Sequence, residues 1–332
     1  MRRSLSVFVA VLLIPILAYS VLWGSLALWF KIPGSEIVRA TMAGAFAVFG
    51  IATLIAMFTS VRWRWFLVFT VALVGVNVWW NTLVPPSEGN WSPEVARQTT
   101  GTIEGDILTL ENMRVFEWRT ESDFTETWVT RSYDLSQIET VDLFMSYWAG
   151  PEMAHFMLSF GFADGQYLAW SNEVRREVGA SFSPVADFFK ANALSVIASE
   201  ERDVVGLRSN IQNARVQIFR LNSTPENRRA LMEAYVAAAN EVAETPRWFH
   251  SVFTNCSRSV IKLARYVGIN LPLDWRVIVN GYFPDYLYDM GRMNTDLAIE
   301  DIYRLGDITE RAKAVGLTKE YSEAIREGVP TP

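Results

Sequence analysis

One cysteine and two histidines are the residues of this 332-residue chain best suited to covalent chemistry. Cys256 lies in "FTNCSRSV" (253–260), directly after an asparagine. Thr254 or Asn255 can cap a helix starting there, Val260, Ile261, Leu263, Ala264 and Val267 give it one apolar face, and Gly268 is placed to end it. In a first helical turn the unpaired backbone N–H groups and the helix dipole stabilise a thiolate, lowering a thiol pKa from about 8.5 toward neutrality. Most free cysteines are simply small buried residues. A nucleophilic one needs an imidazole to hold the thiolate and return a proton to the leaving group, and that imidazole needs an orienting acceptor.

The acceptor comes from a hairpin. "HFMLSFGFADGQYLAWSNEVRRE" (155–177) alternates apolar and small or polar residues on both sides of Ala163-Asp164-Gly165. With Gly165 in the left-handed position of a three-residue loop, Phe162 faces Gln166 and every opposed pair sums to 328. This register sets Phe160 against Leu168 and Leu158 against Trp170 on one face. On the other, Ser159 meets Ala169, Met157 meets Ser171 and His155 meets Glu173. A one-residue shift would oppose Leu158 to Ser171 and break the apolar face. Cys256, His155 and Glu173 can therefore act as nucleophile, base and orienting acceptor. His250, six residues before Cys256, is the rival base or a solvated interfacial side chain. On spacing alone an inert cysteine remains the alternative. One cysteine and two histidines lack the usual pattern of a structural metal site, and neither metal nor cofactor is expected.

These residues are carried on a chain with two dissimilar parts. Ser4 to Phe30, Ala40 to Val61 and Trp65 to Val84 are uncharged runs, each long enough to cross a bilayer at about 20 residues per helix. The first is too long for the apolar stretch of a signal peptide and lacks a clear cleavage site, so it reads as an uncleaved anchor. Arg2 and Arg3 precede it, and Arg62 and Arg64 separate the second and third runs; the positive-inside rule places the N-terminus in the cytoplasm and everything beyond Val84 outside. Residues 1–84 hold six Lys/Arg and one Asp/Glu, which leaves 24 of the 30 basic and 35 of the 36 acidic residues in the remainder. That acidic excess disfavours nucleic acid as a partner. "VPPSEGNWSP" (84–93) reads as a linker between a membrane domain, 1–84, and an exported domain, 85–332, large enough for its own core without a disulfide.

Strands are expected at 106–118, 125–135 and 141–148, and a helix at 223–244 opening with a Ser223–Glu226 capping box. The fold class is α+β: a bundle of three transmembrane helices, then an antiparallel sheet packed on helices.

The ordered set "SYW", "AHFMLSFGFADGQYLAWSNEVRRE", "ERDVVGLR", "PRWFHSVFTNCSRSV" and "DITERAKAVGLTKEYSEAIREGVP" resembles the bacterial family named for the N-terminal periplasmic domain of Lnb, from about Trp91 to Pro330. The resemblance implies a permuted papain-like, NlpC-like thiol enzyme in which histidine precedes cysteine, with His155, Glu173 and Cys256 in the catalytic places. It also implies residence in a bacterial inner membrane with the C-terminal domain periplasmic. Because Lnb is a lipoprotein N-acyltransferase, it further implies transfer of an acyl chain from a membrane phospholipid to an amine, such as the N-terminus of a lipoprotein. The membrane runs precede the domain here, whereas Lnb carries them after it, and Ser257 and Arg258 replace the threonines usual after the cysteine. Asn255, Arg175, Tyr147 and Trp148 are candidates for substrate binding; Glu201, Arg202, Asp203 and Arg208 are candidates for a headgroup site or, by ordinary expectation, ion pairs. A thiol peptidase or amidase, or a lipid hydrolase, is the alternative function, and a non-catalytic binding domain leaves the cysteine and histidine pattern unexplained.

Overall fold

The computed structural model describes residues 2–332 except positions 149, 181–182, 252–253, 255 and 267, with only the backbone at 2–8, 256 and 266. The chain divides into two compact units, one of Met1–Pro86 with Ser183–Asn192 and Trp248–His250, the other of the remaining residues.

The first unit is built on helices α1 (Arg2–Lys31), α2 (Glu36–Ala56) and α3 (Arg62–Thr82), all long and apolar enough to cross a membrane. Small residues let α1 and α2 approach: a Cβ on Gly24 would lie 2.4 Å from Phe46, and one on Gly50 would lie 2.2 Å from Val21. Helix α4 (Pro184–Phe188) and its flanks belong to the same unit. Phe189 stacks on Phe30 at 5.4 Å, while Lys190 Nζ donates to Trp80 O (2.6 Å) and Trp248 Nε1 to Leu83 O (2.9 Å). These donors bond carbonyls at the end of α3, where Trp80 O also accepts from Leu83 N–H at 3.3 Å.

The second unit holds strands β1 (Thr100–Glu104), β2 (Ile107–Arg114), β3 (Glu117–Trp118), β4 (Phe124–Thr125), β5 (Trp128–Asp134), β6 (Ile138–Tyr147), β7 (Ala154–Phe162), β8 (Tyr167–Arg175), β9 (Ala193–Ser199) and β10 (Arg215–Arg220). Its main sheet runs β1-β2-β9-β8-β7-β6-β10, with β5 also on β2 and β3 paired to β4 alone. Every pairing is antiparallel except β2 with β9. The helices are α5 (Glu201–Gly206), α6 (Pro225–Glu244), α7 (Cys256–Tyr266), α8 (Phe283–Asp289), α9 (Ile299–Gly306), α10 (Thr309–Val315) and α11 (Tyr321–Ala324). The expected α+β class is thus the observed one.

Strand alternation gives the sheet two buried faces. One carries Leu143, Phe156, Leu158 and Trp170 beneath α6, α7 and α8, with Tyr235 stacked on Trp170 at 5.4 Å and Phe283 on Phe156 at 5.1 Å. The other carries Phe144, Met157 and Ala169 beneath α5, α10 and α11, through Val204, Val205, Ala312 and Tyr321. The α6 cap differs from expectation by one residue: Thr224, not Ser223, accepts from Asn227 N–H, because Pro225 takes the first helical position. Gly268 ends α7 as expected, at φ 81°, with Ile269 N–H donating to Ala264 O at 2.9 Å.

The "ERDVVGLR" segment is occupied by ion pairs. Asp203, fully buried, accepts from Arg114 at 2.8 and 2.9 Å, from Trp118 Nε1 at 2.7 Å and from Phe116 N–H at 2.9 Å. Arg202 donates to Glu200 at 2.5 Å, and Glu201 accepts from Arg326. Asp203→Ala should cost about 3–5 kcal/mol, because it strands a guanidinium in the core. Denaturant unfolding of the purified protein checks this; a loss below about 1 kcal/mol would mean that water relieves Arg114.

Candidate active site

The expected hairpin register is observed from Gly161–Tyr167 to Met157–Ser171, with Phe162 N–H donating to Gln166 O at 2.9 Å and Gly165 at φ 83°. It stops two residues short of the expected His155–Glu173 pair. Beyond Met157–Ser171 the two strands part: β7 stays with β6 as far as Ala154–Tyr147, and β8 stays with β9 as far as Arg175–Ala193. The sheet is split at this end.

Asn280 holds the split open. In continued register the polar backbone groups of Ala154 would bond to β8; instead Asn280 Oδ1 accepts from Ala154 N–H (3.0 Å) and its Nδ2 donates to Ala154 O (2.9 Å). One buried side-chain amide thereby satisfies a strand edge that would otherwise be left unbonded. The following Gly281 fits against the Pro151–Glu152 backbone, where a Cβ would come within 1.9 Å of Pro151 O. Neither residue was singled out from sequence, since an Asn-Gly pair ordinarily signals a turn.

His155 and Glu173 meet across the split. His155 Nε2 lies 3.3 Å from Glu173 Oε1 and 2.8 Å from Ser171 Oγ, and Ser171 Oγ donates to Glu173 Oε1 at 2.6 Å. A hydroxyl has one proton, and that proton goes to Glu173; Ser171 therefore accepts from His155, which places the imidazole proton on Nε2. A neutral imidazole protonated there carries its lone pair on Nδ1. Arg208 completes the group, its terminal nitrogen donating to both Glu173 oxygens at 3.0 Å. It projects from a π-helical turn, Leu207–Ile211, that follows α5. Such turns often re-aim a side chain at a functional site.

Burial alone would raise the Glu173 carboxyl, but the Arg208 guanidinium, the His155 ring and the hydrogen bonds from His155 and Ser171 hold it well below the usual carboxylate range. A depressed carboxylate contributes stability that is fully present above its unfolded pKa of about 4.3 and is lost as pH falls through the folded value. Glu173→Gln should therefore be less stable than the wild type at neutral pH, with the gap closing below about pH 4. Unfolding curves from pH 7 to pH 3 test this; a gap independent of pH removes the electrostatic account.

The other candidates are dispersed. Helix α7 begins at Cys256, as expected, and packs across both β7 and β8 on the Leu158 face, whereas His155 belongs to the Met157 face. The Cys256 side chain and the whole of Asn255 lie outside the described residues. Arg175 donates to Val95 O (3.1 Å) and Ala96 O (2.8 Å) and stacks on Trp91, an anchor for the segment entering the unit. Tyr147 opposes Ala154, on the face away from His155, and donates to Gly281 O at 3.2 Å. Trp148, just past β6, is half exposed. His250 belongs to the first unit, its ring 4.7 Å from Phe188, and burial lowers its pKa.

Fold and site together define a class: an α+β domain, joined to three helices apolar enough for a membrane, whose sheet parts around a histidine held by a carboxylate. The model of the Lnb N-terminal periplasmic domain family matches residues 124–281, somewhat less than half of the chain. The match bears out the resemblance read from the sequence and encloses His155, Ser171, Glu173, Arg208, Cys256 and Asn280. Neither the search of curated proteins nor that of solved structures returned a match. Similarity to this family suggests an enzyme at a membrane, with the matched domain periplasmic.

Proposed function

We propose that this protein is a papain-like cysteine acyltransferase of the bacterial inner membrane, with its N-terminus cytoplasmic and its catalytic domain periplasmic. The observation that carries the reading is the His155 ring, held by Ser171 and Glu173 at the split in a sheet crossed by the helix that starts at Cys256; Nδ1 is the proposed base. The Cys256 thiolate attacks the ester carbonyl of a phospholipid acyl chain. The carbonyl oxygen takes up negative charge and is met by backbone N–H groups at the helix start. As the tetrahedral intermediate collapses, the C–O bond breaks and protonated His155 gives its Nδ1 proton to the departing lysophospholipid alcohol, leaving a thioester. An amine then adds to the thioester carbonyl, His155 takes its proton, and the thiolate leaves as the amide forms. Amines attack thioesters far better than water does, so a site that limits water favours transfer over hydrolysis.

The proposed acceptor is the N-terminus of a lipoprotein. Mass spectrometry of lipoprotein N-termini from cells with and without the protein tests it, in a strain without another N-acylating enzyme. An N-acyl group that disappears with the protein is the expected result. An unchanged pattern, with thioester on Cys256 formed only from peptide substrates, would overturn the transferase in favour of a peptidase.

A further inference from the structure

Behind α7 lies a cavity of about 60 Å³ that the chemistry described above does not use. Its wall is almost wholly apolar, with Leu143 and Leu158 from the sheet, Leu231 from α6, Val260 and Ala264 from α7 and Leu287 from α8. Polar residues, among them Asn222 and Asn227 around the start of α6, border it elsewhere. An apolar space of this kind offers water few partners, whereas methylene groups gain contact along its whole wall.

Two measures of distance tie it to the site. Positions 256, 260 and 264 are spaced at i, i+4 and i+8, so they form one ridge of α7, and the step from 256 to 260 is about 6 Å. Along β7, Leu158 is three residues from His155, about 10 Å. The cavity thus begins one helical turn from the cysteine, on the ridge that the cysteine heads. We infer that it receives the acyl chain of the donor, the carbonyl lying at Cys256 and the methylenes running down the 256–260–264 ridge between α7 and the Leu143–Leu158 pair. This rests on the acyltransferase reading and extends it to recognition of the first few methylenes of an unbranched chain.

The probes are p-nitrophenyl esters of acetate, octanoate and palmitate, given to the full-length protein in detergent. The thiolate attacks the ester carbonyl and p-nitrophenolate leaves, so release of the phenolate reports acylation. For the wild type, acylation should quicken at least about tenfold from acetate to the longer esters, in line with the contribution of a few methylenes in an apolar pocket. Ala264→Leu should keep the acetate rate within about twofold and lose most of the long-chain advantage. Absence of chain-length dependence in the wild type, or its retention in a folded Ala264→Leu protein, overturns the inference while leaving the acyltransferase reading intact. If Ala264→Leu does not fold, cross-linking of a diazirine-bearing palmitic acid to the wild type decides: label on peptides holding Leu158 or Val260 supports the cavity, and label elsewhere overturns it. If no ester acylates Cys256 at all, the acyltransferase reading fails, and the same cross-linking judges the cavity by itself.

Discussion

Replacing Cys256 by alanine should abolish acyl transfer, with a fall of about 10⁴-fold or more in turnover, while the melting transition stays close to that of the wild type. The size follows from the unity of such catalytic groups: removing the nucleophile costs about as much as removing the whole set. The small stability effect is expected because alanine keeps the backbone of the first position of α7, while Val260, Ile261 and Ala264 form its buried face. Cys256→Ser should be nearly as inactive, because a hydroxyl is far harder to ionise than a thiol. Turnover of a phospholipid donor and calorimetry on the same preparation measure both quantities. Activity retained in Cys256→Ala would remove the thiol mechanism altogether.

His155→Ala should be nearly as severe, with at least a 10²- to 10⁴-fold loss from the missing acid and base alone. It has a signature that misfolding lacks. In the wild type, the rate of Cys256 alkylation by iodoacetamide should titrate with an inflection near neutral pH that reports the imidazole. In His155→Ala that inflection should vanish, leaving only the rise set by the thiol. Ser171→Ala tests the tautomer assignment: it should keep the inflection but displace it, since Nε2 then faces Glu173 directly at 3.3 Å. If His250→Ala proves the inactive variant and His155→Ala does not, the assignment of the base is wrong.

The parts of this site that could be read from sequence are those set by local rules. The Asp164–Gly165 loop and the strict alternation on both sides of it determine the β7–β8 register, and the register alone brings His155 toward Glu173. The start and end of α7 follow from capping signals and the apolar spacing between them. What could not be read depends on contacts distant in the chain. Arg208 reaches Glu173 only because α5 lies on the Met157 face and a π-helical turn re-aims the side chain. Asn280 ends the hairpin ladder from 126 positions away, so the same alternation that predicts the register also overextends it by two pairs. Ser171 was legible as a neighbour of His155 on the correct face, but not as the hydroxyl between ring and carboxylate. Arg175 and Tyr147 illustrate the converse: both sit in family-like motifs beside site residues, yet carbonyl acceptors at Val95, Ala96 and Gly281 draw them to other tasks.

The ion pairs beneath the Met157 face also govern when the domain can be completed. Asp142 and Glu201 are buried, and Arg326, six residues before the end of the chain, donates to both while lying 3.8 Å over the Tyr167 ring. Ile325 and Tyr321, which precede it, close the same face. In chain order the central strands therefore come long before their last counter-charge. Without that segment the sheet has an open apolar face and Glu201 lacks its cation, two costs that oppose a stable fold. Removing residues 323–332 would take Arg326 away and leave the buried carboxylate of Glu201 without that cation, so a segment far along the chain decides whether the sheet laid down before it can close.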